Sequence, residues 1–343
     1  MAEREALQAE TRRQNGDAVT ASKTKATDYL EEWLDVYQRH EVSKITFHDN
    51  TRLIKKYVIA AVGQKALSSI TAMDCQRLIN AIAKAGKKRT AVQVFNLMKK
   101  SFRKATELGY LIKNPMDLVT KPRDRAQERP SLTILEASKF LTFVKESPMY
   151  ALLAFLLLTG VRPEEAMGLQ WKDLDWNKQT VSIRRALKRL PNGEGWEFSD
   201  LKTVTSRRNI DLGETLTAIL RKHKEEQNYA KMIFHQTWND HQLIFTNQVG
   251  NPVDISRARK HLAKILETAN LPKIRLYDLR HTHGSMLLEQ DVNIKAISER
   301  LGHANTSMTL NRYLHTHRSQ SSEGVLRLDR ALHAAKEVTE TDM

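Results

Sequence analysis

Residues 149–183 read MYALLAFLLLTGVRPEEAMGLQWKDLDWNKQTVSI, and two periodicities meet within them. The run from Met149 to Leu158 is apolar on every face, which suits a helix surrounded by protein. It is about half the ~20 residues that a membrane span requires, so it predicts a buried core helix. Thr159-Gly160 ends it, and Pro163, well placed at a first helical position, opens another helix over Pro163–Leu169. At Val181 and Ile183 the apolar period drops to two, the signature of a strand with one buried face.

Outward from this junction the pattern stays mixed. A helix is expected over Ile134–Glu146. After the strand come Gly193 and Gly195, then Trp196–Asp200 and Arg208–Leu212. With Val181–Ile183 these predict a small antiparallel sheet of three strands. Helices are expected at about 214–229, 254–269, 278–289, 293–300 and 306–313, with a last one near 320–335.

The amino-terminal third shows no strand pattern. Tyr29, Leu30, Trp33, Leu34 and Tyr37 mark one helix face, and a second helix is expected from His48-Asp49-Asn50 with Leu53, Ile54, Tyr57 and Val58. A third spans Thr71 to Ala85, with Met73, Leu78, Ile79 and Ile82 inward. A fourth runs from Thr90 to Leu108 and stops at Gly109, with Ala91, Phe95, Met98, Phe102 and Ala105 as its core stripe. The fold class is therefore mainly α with a small antiparallel β-sheet. Its expected divisions are a polar segment 1–24, a four-helix domain 25–117, a linker 118–130, a mixed α/β domain 131–319, and a C-terminal helix and tail 320–343. Lys113-Asn114-Pro115 is read as the end of the helical domain, because proline disfavours a helical residue before it.

Charge narrows the partner. The 343 residues hold 55 Lys+Arg against 40 Asp+Glu, a formal net charge of +15. Such an excess points to a polyanion, usually nucleic acid. It is concentrated: residues 25–117 carry 17 basic and 9 acidic residues, and Glu107 is the lone acid between Lys84 and Lys113. Lys99 with Arg103 and Lys100 with Lys104 are like-charge i,i+4 pairs, which disfavour an isolated helix. With Lys87, Lys88 and Arg89 they are expected to form a phosphate-contacting face. The linker TKPRDRAQERP, residues 120–130, reads as extended and basic enough to lie along DNA. One cysteine, Cys75, excludes a disulfide framework and fits a reducing compartment. The amino terminus lacks the apolar stretch of a secretory signal.

Several chemistries find no support. His281, His283 and His303 are close in sequence, yet no HExxH, CxxC or acidic loop accompanies them, so no metal is expected. There is no GxxxxGK[ST] and no GxGxxG, so neither nucleotide hydrolysis nor a dinucleotide cofactor is indicated. What stands out is a set of basic residues in distinctive contexts: TGVRPEE around Arg162, LKTVTSRRNIDL around Lys202, YDLRHTHGS around Arg280, and LGHANTSMTLNRY from Leu301 to Tyr313.

These four segments, in this order, resemble those of the tyrosine recombinase (phage-type integrase) family. The likeness covers about 25 to 320, as a helical core-binding domain, a linker and a catalytic domain. It implies that Tyr313 attacks a DNA phosphate and forms a 3′-phosphotyrosine, storing the strand break as a covalent bond. Arg162 and Arg280 would clamp the non-bridging oxygens, His303 would add a hydrogen bond, and Lys202 would protonate the leaving 5′-oxygen. Glu165 would buttress Arg162, whereas His281 and His283 read as packing or hydrogen-bonding groups. The sequence departs from the family where the second box usually begins with His: here the residue is Tyr277, a poor base at neutral pH. Tyr277 is expected to orient the phosphate or Tyr313.

The resemblance implies a site-specific recombinase that integrates or excises a phage or other mobile element without metal or nucleotide. It would act on double-stranded attachment sites as a homotetramer, through a Holliday junction. A host DNA-bending protein or an excisionase would assist, there is no membrane partner, and the setting is cytoplasmic, at the nucleoid. A type IB topoisomerase shares the phosphotyrosine chemistry, and an inactive DNA-binding regulator is the non-enzyme alternative. Residues 1–24 resemble the helix that follows an arm-binding domain. After Tyr313, Val325, Leu326, Leu328, Leu332 and Ala335 form an apolar stripe that would dock on a neighbouring protomer.

Overall fold

The computed structural model describes residues 23–123, 130–201 and 206–302. They divide into two compact units, one of residues 23–123 with 190–195 and one of residues 130–189 and 196–302, each with its own core.

The first unit is helical. Helix α1 begins at Ala26–Trp33, continues as a π-helical stretch Leu34–Gln38 and closes with Arg39–Glu41. Helix α2 repeats this plan: Lys44–Leu53, a π-helical stretch Ile54–Ile59, then Ala60–Val62. It starts ahead of the expected His48 because the Ser43 hydroxyl accepts from the Thr46 amide as an N-cap. Helix α3 (Ala72–Lys84) opens on a capping box in which Thr71 and Asp74 satisfy each other's backbone amides. Helix α4 (Lys88–Glu107) buries the expected stripe of Ala91, Phe95, Met98, Phe102 and Ala105.

Trp33, Leu30, Ile54, Ile79 and Met98 fill this core, and the Tyr29 hydroxyl donates to the Ser101 carbonyl at 2.6 Å. Cys75 is fully buried, and burial pushes its thiol up to about 12. Met73, expected inward, is instead 60% exposed; Ile79 and Ile82 carry that face. The core also runs past Lys113-Asn114-Pro115. Asn114 caps a 3-10 turn, Pro115–Leu118, and both Met116 and Val119 are buried.

The second unit is built around the apolar run Met149–Leu158. Helix α5 (Ile134–Val144) packs on α6 (Tyr150–Thr159), whose residues Ala151–Leu157 are all buried. The short α7 (Pro163–Met167) follows. Two small antiparallel sheets come next. Strands β1 (Leu174–Asp175), β2 (Thr180–Ile183) and β5 (Arg208–Asp211) form one, in the order β1-β2-β5, and β3 (Arg185–Arg189) pairs with β4 (Trp196–Asp200) in the other.

This corrects the single three-stranded sheet expected from sequence. Trp196–Asp200 pairs with Arg185–Arg189 as a hairpin, and its place beside β2 is taken by β5, with Val181 opposite Ile210. The segment bearing Lys202 thus links two sheets and is not the turn of one hairpin. The remaining described helices are α8 (Glu214–Ile233), α9 (Ile255–Thr268), α10 (Asp278–Glu289) and α11 (Ile294–Leu301). Helices α8 and α10 both pack on α6. The helices expected at 306–313 and 320–335 lie outside the described residues, as does the polar segment 1–22.

Candidate active site

Two glycine turns frame the site. Gly160 closes α6 at φ +67° and Gly302 closes α11 at φ +66°, a conformation that costs glycine little. The turns admit no side chain. A Cβ on Gly160 would lie 2.6 Å from a ring carbon of His283 and 2.7 Å from Leu301, and one on Gly302 would lie 2.9 Å from Arg208 Nη1. The Gly160 turn is therefore packed directly against Leu301, the residue before Gly302.

Arg162 is the N-cap of α7 and leads out of the Gly160 turn. Its Nη1 donates to Glu165 Oε1 at 2.7 Å and its Nη2 to the Gly302 carbonyl at 3.2 Å. Burial opposes its charge, but the Glu165 carboxylate and then the nearby Tyr277 together outweigh burial and hold the guanidinium above its ordinary value. Glu165 is 2% exposed. Its burial works to raise its pKa, yet Arg208 and then Arg162 outweigh it and keep the carboxyl below the usual range.

Arg280 sits in the first turn of α10, 1% exposed. Its Nη1 donates to the Gly160 carbonyl at 2.9 Å, whereas Nε and Nη2 have no hydrogen-bond partner among the described residues. Buried donors of that kind are rare in a finished fold and call for a partner from outside it. Burial, and then the nearby Arg162 charge, pushes Arg280 down to about 10. Tyr277 is the N-cap of α10, with its ring 5.5 Å from that of His281. His283 is buried, accepts at Nε2 from Arg300 Nε at 3.0 Å, and is pushed down to about 3 by burial and the Arg300 charge. It is a neutral structural acceptor, as expected from sequence.

The structure therefore brings Arg162, Tyr277 and Arg280 together with Glu165. Lys202, His303 and Tyr313 lie outside the described residues. Two arginines that the motifs do not mark join the group. Arg208 donates from Nη2 to Glu165 at 2.8 Å, and Arg300 contacts His283 and the Asp211 carbonyl. A signal for Arg208 is present in the sequence: it stands two residues before buried Ile210, on the inward face of a strand. Among the described residues, no group of three potential metal ligands occurs, and no helix is long and apolar enough to cross a membrane.

The proposed DNA-contacting face of the first unit is less uniform than expected. Lys99 pairs with Asp117, Lys100 with Glu41 and Lys104 with Glu107, and Lys104 also lies over the Tyr37 ring. The acids come from the last turn of α4 and from other elements of that unit. Lys87, Lys88 and Arg89 are exposed at the amino end of α4, where no acid occupies the first turn. Cations there oppose the helix dipole.

The sequence profile of the phage integrase family matches residues 130–320, and that of the phage integrase N-terminal SAM-like domain matches residues 27–83. The chain belongs to the phage integrase family. Among its relatives, a XerC-like tyrosine recombinase of Caldanaerobacter subterraneus is 28% identical over 91% of this chain and 84% of its own length. An integrase of Staphylococcus phage L54a is 26% identical over 89% of this chain and 92% of its own. The fold matches the Tn1549 transposon integrase, solved with a circular intermediate DNA, at a TM-score of 0.75. That match has 22% identity and covers 89% of this chain and 99% of the other. This phage integrase family member is thus a tyrosine recombinase, an enzyme of site-specific DNA recombination.

Proposed function

We propose that the chain cleaves and rejoins duplex attachment sites through a covalent bond to Tyr313. The observation that carries this is the buried Arg280. Two of its nitrogens lack a partner among the described residues, beside an Arg162 already oriented by Glu165 and the Gly302 carbonyl. A fixed pair of guanidiniums in a largely dry site stabilises charge that develops on a phosphate far better than mobile surface cations do. Tyr277, close enough to Arg162 to favour its charge, supplies a further hydroxyl at the same place.

In this reading Arg162 and Arg280 hold the non-bridging oxygens, assisted by His303. Tyr313 attacks phosphorus, and Lys202 gives its proton to the departing 5′-oxygen. The protein divides into a helical domain from residue 25, whose core runs to Val119, and a catalytic domain 131–319, about a linker 120–130, and the exposed Lys87, Lys88 and Arg89 touch DNA backbone. Four protomers assemble on two sites; a lambda integrase tetramer has been solved on a Holliday junction, with a TM-score of 0.63 to this chain, 15% identity, and coverage of 82% of this chain and 78% of that one. Integration or excision of a mobile element, aided by a host DNA-bending protein or an excisionase, takes place in the cytoplasm at the nucleoid. The test is incubation with a nicked suicide duplex carrying the candidate attachment sequence. A 3′-adduct at Tyr313 is expected. Relaxation of supercoils without strand exchange would instead favour topoisomerase activity, and binding without any adduct would favour an inactive regulator.

A further inference from the structure

Arg208 is almost wholly withdrawn from solvent. Its side chain is 7% exposed, and all three of its guanidinium nitrogens donate to protein. Nε donates to the Arg300 carbonyl at 2.6 Å, Nη1 to the Ser206 carbonyl at 3.0 Å and Nη2 to Glu165 Oε2 at 2.8 Å. Three of its five N–H donors are thus taken by protein, and its burial keeps the fork away from solvent. The three acceptors belong to parts of the chain far apart in sequence. Ser206 lies where the Lys202 segment re-enters β5. Glu165 orients Arg162. Arg300 is in the last turn of α11, two residues before Gly302 and three before His303.

We infer that Arg208 is a positioning residue for the cleavage step: one planar fork fixes, relative to one another, the anchor of the Lys202 segment, the buttress of Arg162 and the turn that leads into His303. This rests on the site reading above. Two features make the role specific to a guanidinium. First, three donors at fixed angles reach three acceptors at once, which a lysine ammonium on a flexible stem does not reproduce. Second, Arg208 shares the Glu165 carboxylate with Arg162. Without Arg208, the buried carboxylate would be balanced by Arg162 alone, and Arg162 would be held tighter to protein and less free for phosphate. Gly302 fits this arrangement, because a Cβ there would meet Arg208 Nη1.

The experiment compares wild type, Arg208→Lys and Arg208→Met at saturating DNA, on an ordinary suicide duplex and on one with sulfur in place of the scissile 5′-bridging oxygen. A thiolate departs without protonation, so it bypasses the need for a general acid. Both variants should bind DNA within about threefold of wild type, because Arg208 is buried and held by protein acceptors. Both should lose about 100-fold or more in adduct formation on the ordinary duplex, the size of a lost general-acid contribution. The sulfur duplex should restore at least about tenfold of that loss. Amide exchange at Gly302 should quicken in both.

Cleavage by Arg208→Lys within threefold of wild type would overturn the proposal, as would a loss carried wholly by binding or one indifferent to the sulfur substitution. Should Arg208→Met fail to fold, Arg208→Lys, which keeps the charge, carries the test alone. A wild-type adduct at a residue other than Tyr313 would count against the site reading. Exchange at Gly302 would then decide on Arg208 by itself: faster exchange in Arg208→Lys supports the brace, and unchanged exchange overturns it.

Discussion

Arg280 Nη1 donates to the Gly160 carbonyl at 2.9 Å, joining helix α10 to the turn that precedes Arg162 across 120 residues of sequence. The two arginines are thereby set by one backbone turn. The arrangement brings two like charges close in a poorly solvated place, an unfavourable choice for folding alone, and its consequences can be measured.

Arg280 has a depressed pKa, so in the folded state its charged form is the disfavoured one. At neutral pH it therefore costs stability, and that cost would be relieved only as pH rises through about 10 toward the unfolded value. Arg280→Met should abolish adduct formation and yet unfold at the same or a higher urea concentration, by up to about 1–4 kcal/mol. A fall in the urea midpoint would show that Arg280 has stabilising partners beyond Gly160.

Glu165 behaves in the opposite sense. Its folded pKa is depressed by Arg208 and Arg162, so its stabilisation is complete above the ordinary carboxylate value near ~4.3 and is lost as pH falls below it. Glu165→Gln leaves two largely buried guanidiniums without their counter-charge and should cost about 3–5 kcal/mol at pH 7. Urea melts of wild type and variant between pH 7 and 3 should converge at the acid end. A gap independent of pH would mean that hydrogen-bond geometry, not charge, accounts for the loss.

The proposed nucleophile is told apart from Tyr277 by single hydroxyl deletions. Tyr313→Phe should bind DNA and form no adduct, whereas Tyr277→Phe should keep part of the cleavage rate, because in the proposed mechanism Tyr277 orients and does not attack. Peptide mapping of the trapped complex reads both results, and an exchange of the two would reverse the assignment.

On the helical unit, the exposed cluster Lys87, Lys88 and Arg89 should matter more to DNA than the ion-paired Lys99, Lys100 and Lys104. Replacing the first three with Ala should lower the log–log salt slope of binding by about 0.9 for each phosphate no longer neutralised. The paired lysines should change it less, since freeing them from acids offsets part of the gain. Equal slopes for the two triple variants would remove this distinction.

Much of the frame is readable from residue order. Helix α10 starts and stops where expected, and α6 is buried on all sides because nothing in Ala151–Leu157 is polar. The β3 strand is not readable: Arg185-Ala186-Leu187-Lys188-Arg189 shows no clean alternation, and it pairs with β4 through cross-strand contacts that local pattern does not encode. Helix α2 starts earlier than its pattern suggests because Lys44–Asn50 shows no clear apolar stripe, and its Ser43 cap is the only local sign of a start. At the site, short motifs suffice to mark Arg162, Tyr277 and Arg280. They do not mark Arg208, because adjacent Arg207 and Arg208 look alike in sequence, and only the strand register turns Arg208 inward while Arg207 remains exposed.

Cys75 is the chain's only cysteine, fully buried in the helical core with its thiol pushed up to about 12. A thiol so placed is shielded from alkylating reagents. Cysteines introduced elsewhere would therefore take up maleimide dyes at one chosen address per protomer, with no need to remove the native residue. A donor on one batch of protein and an acceptor on another would let energy transfer report the arrival of successive protomers on a single DNA molecule.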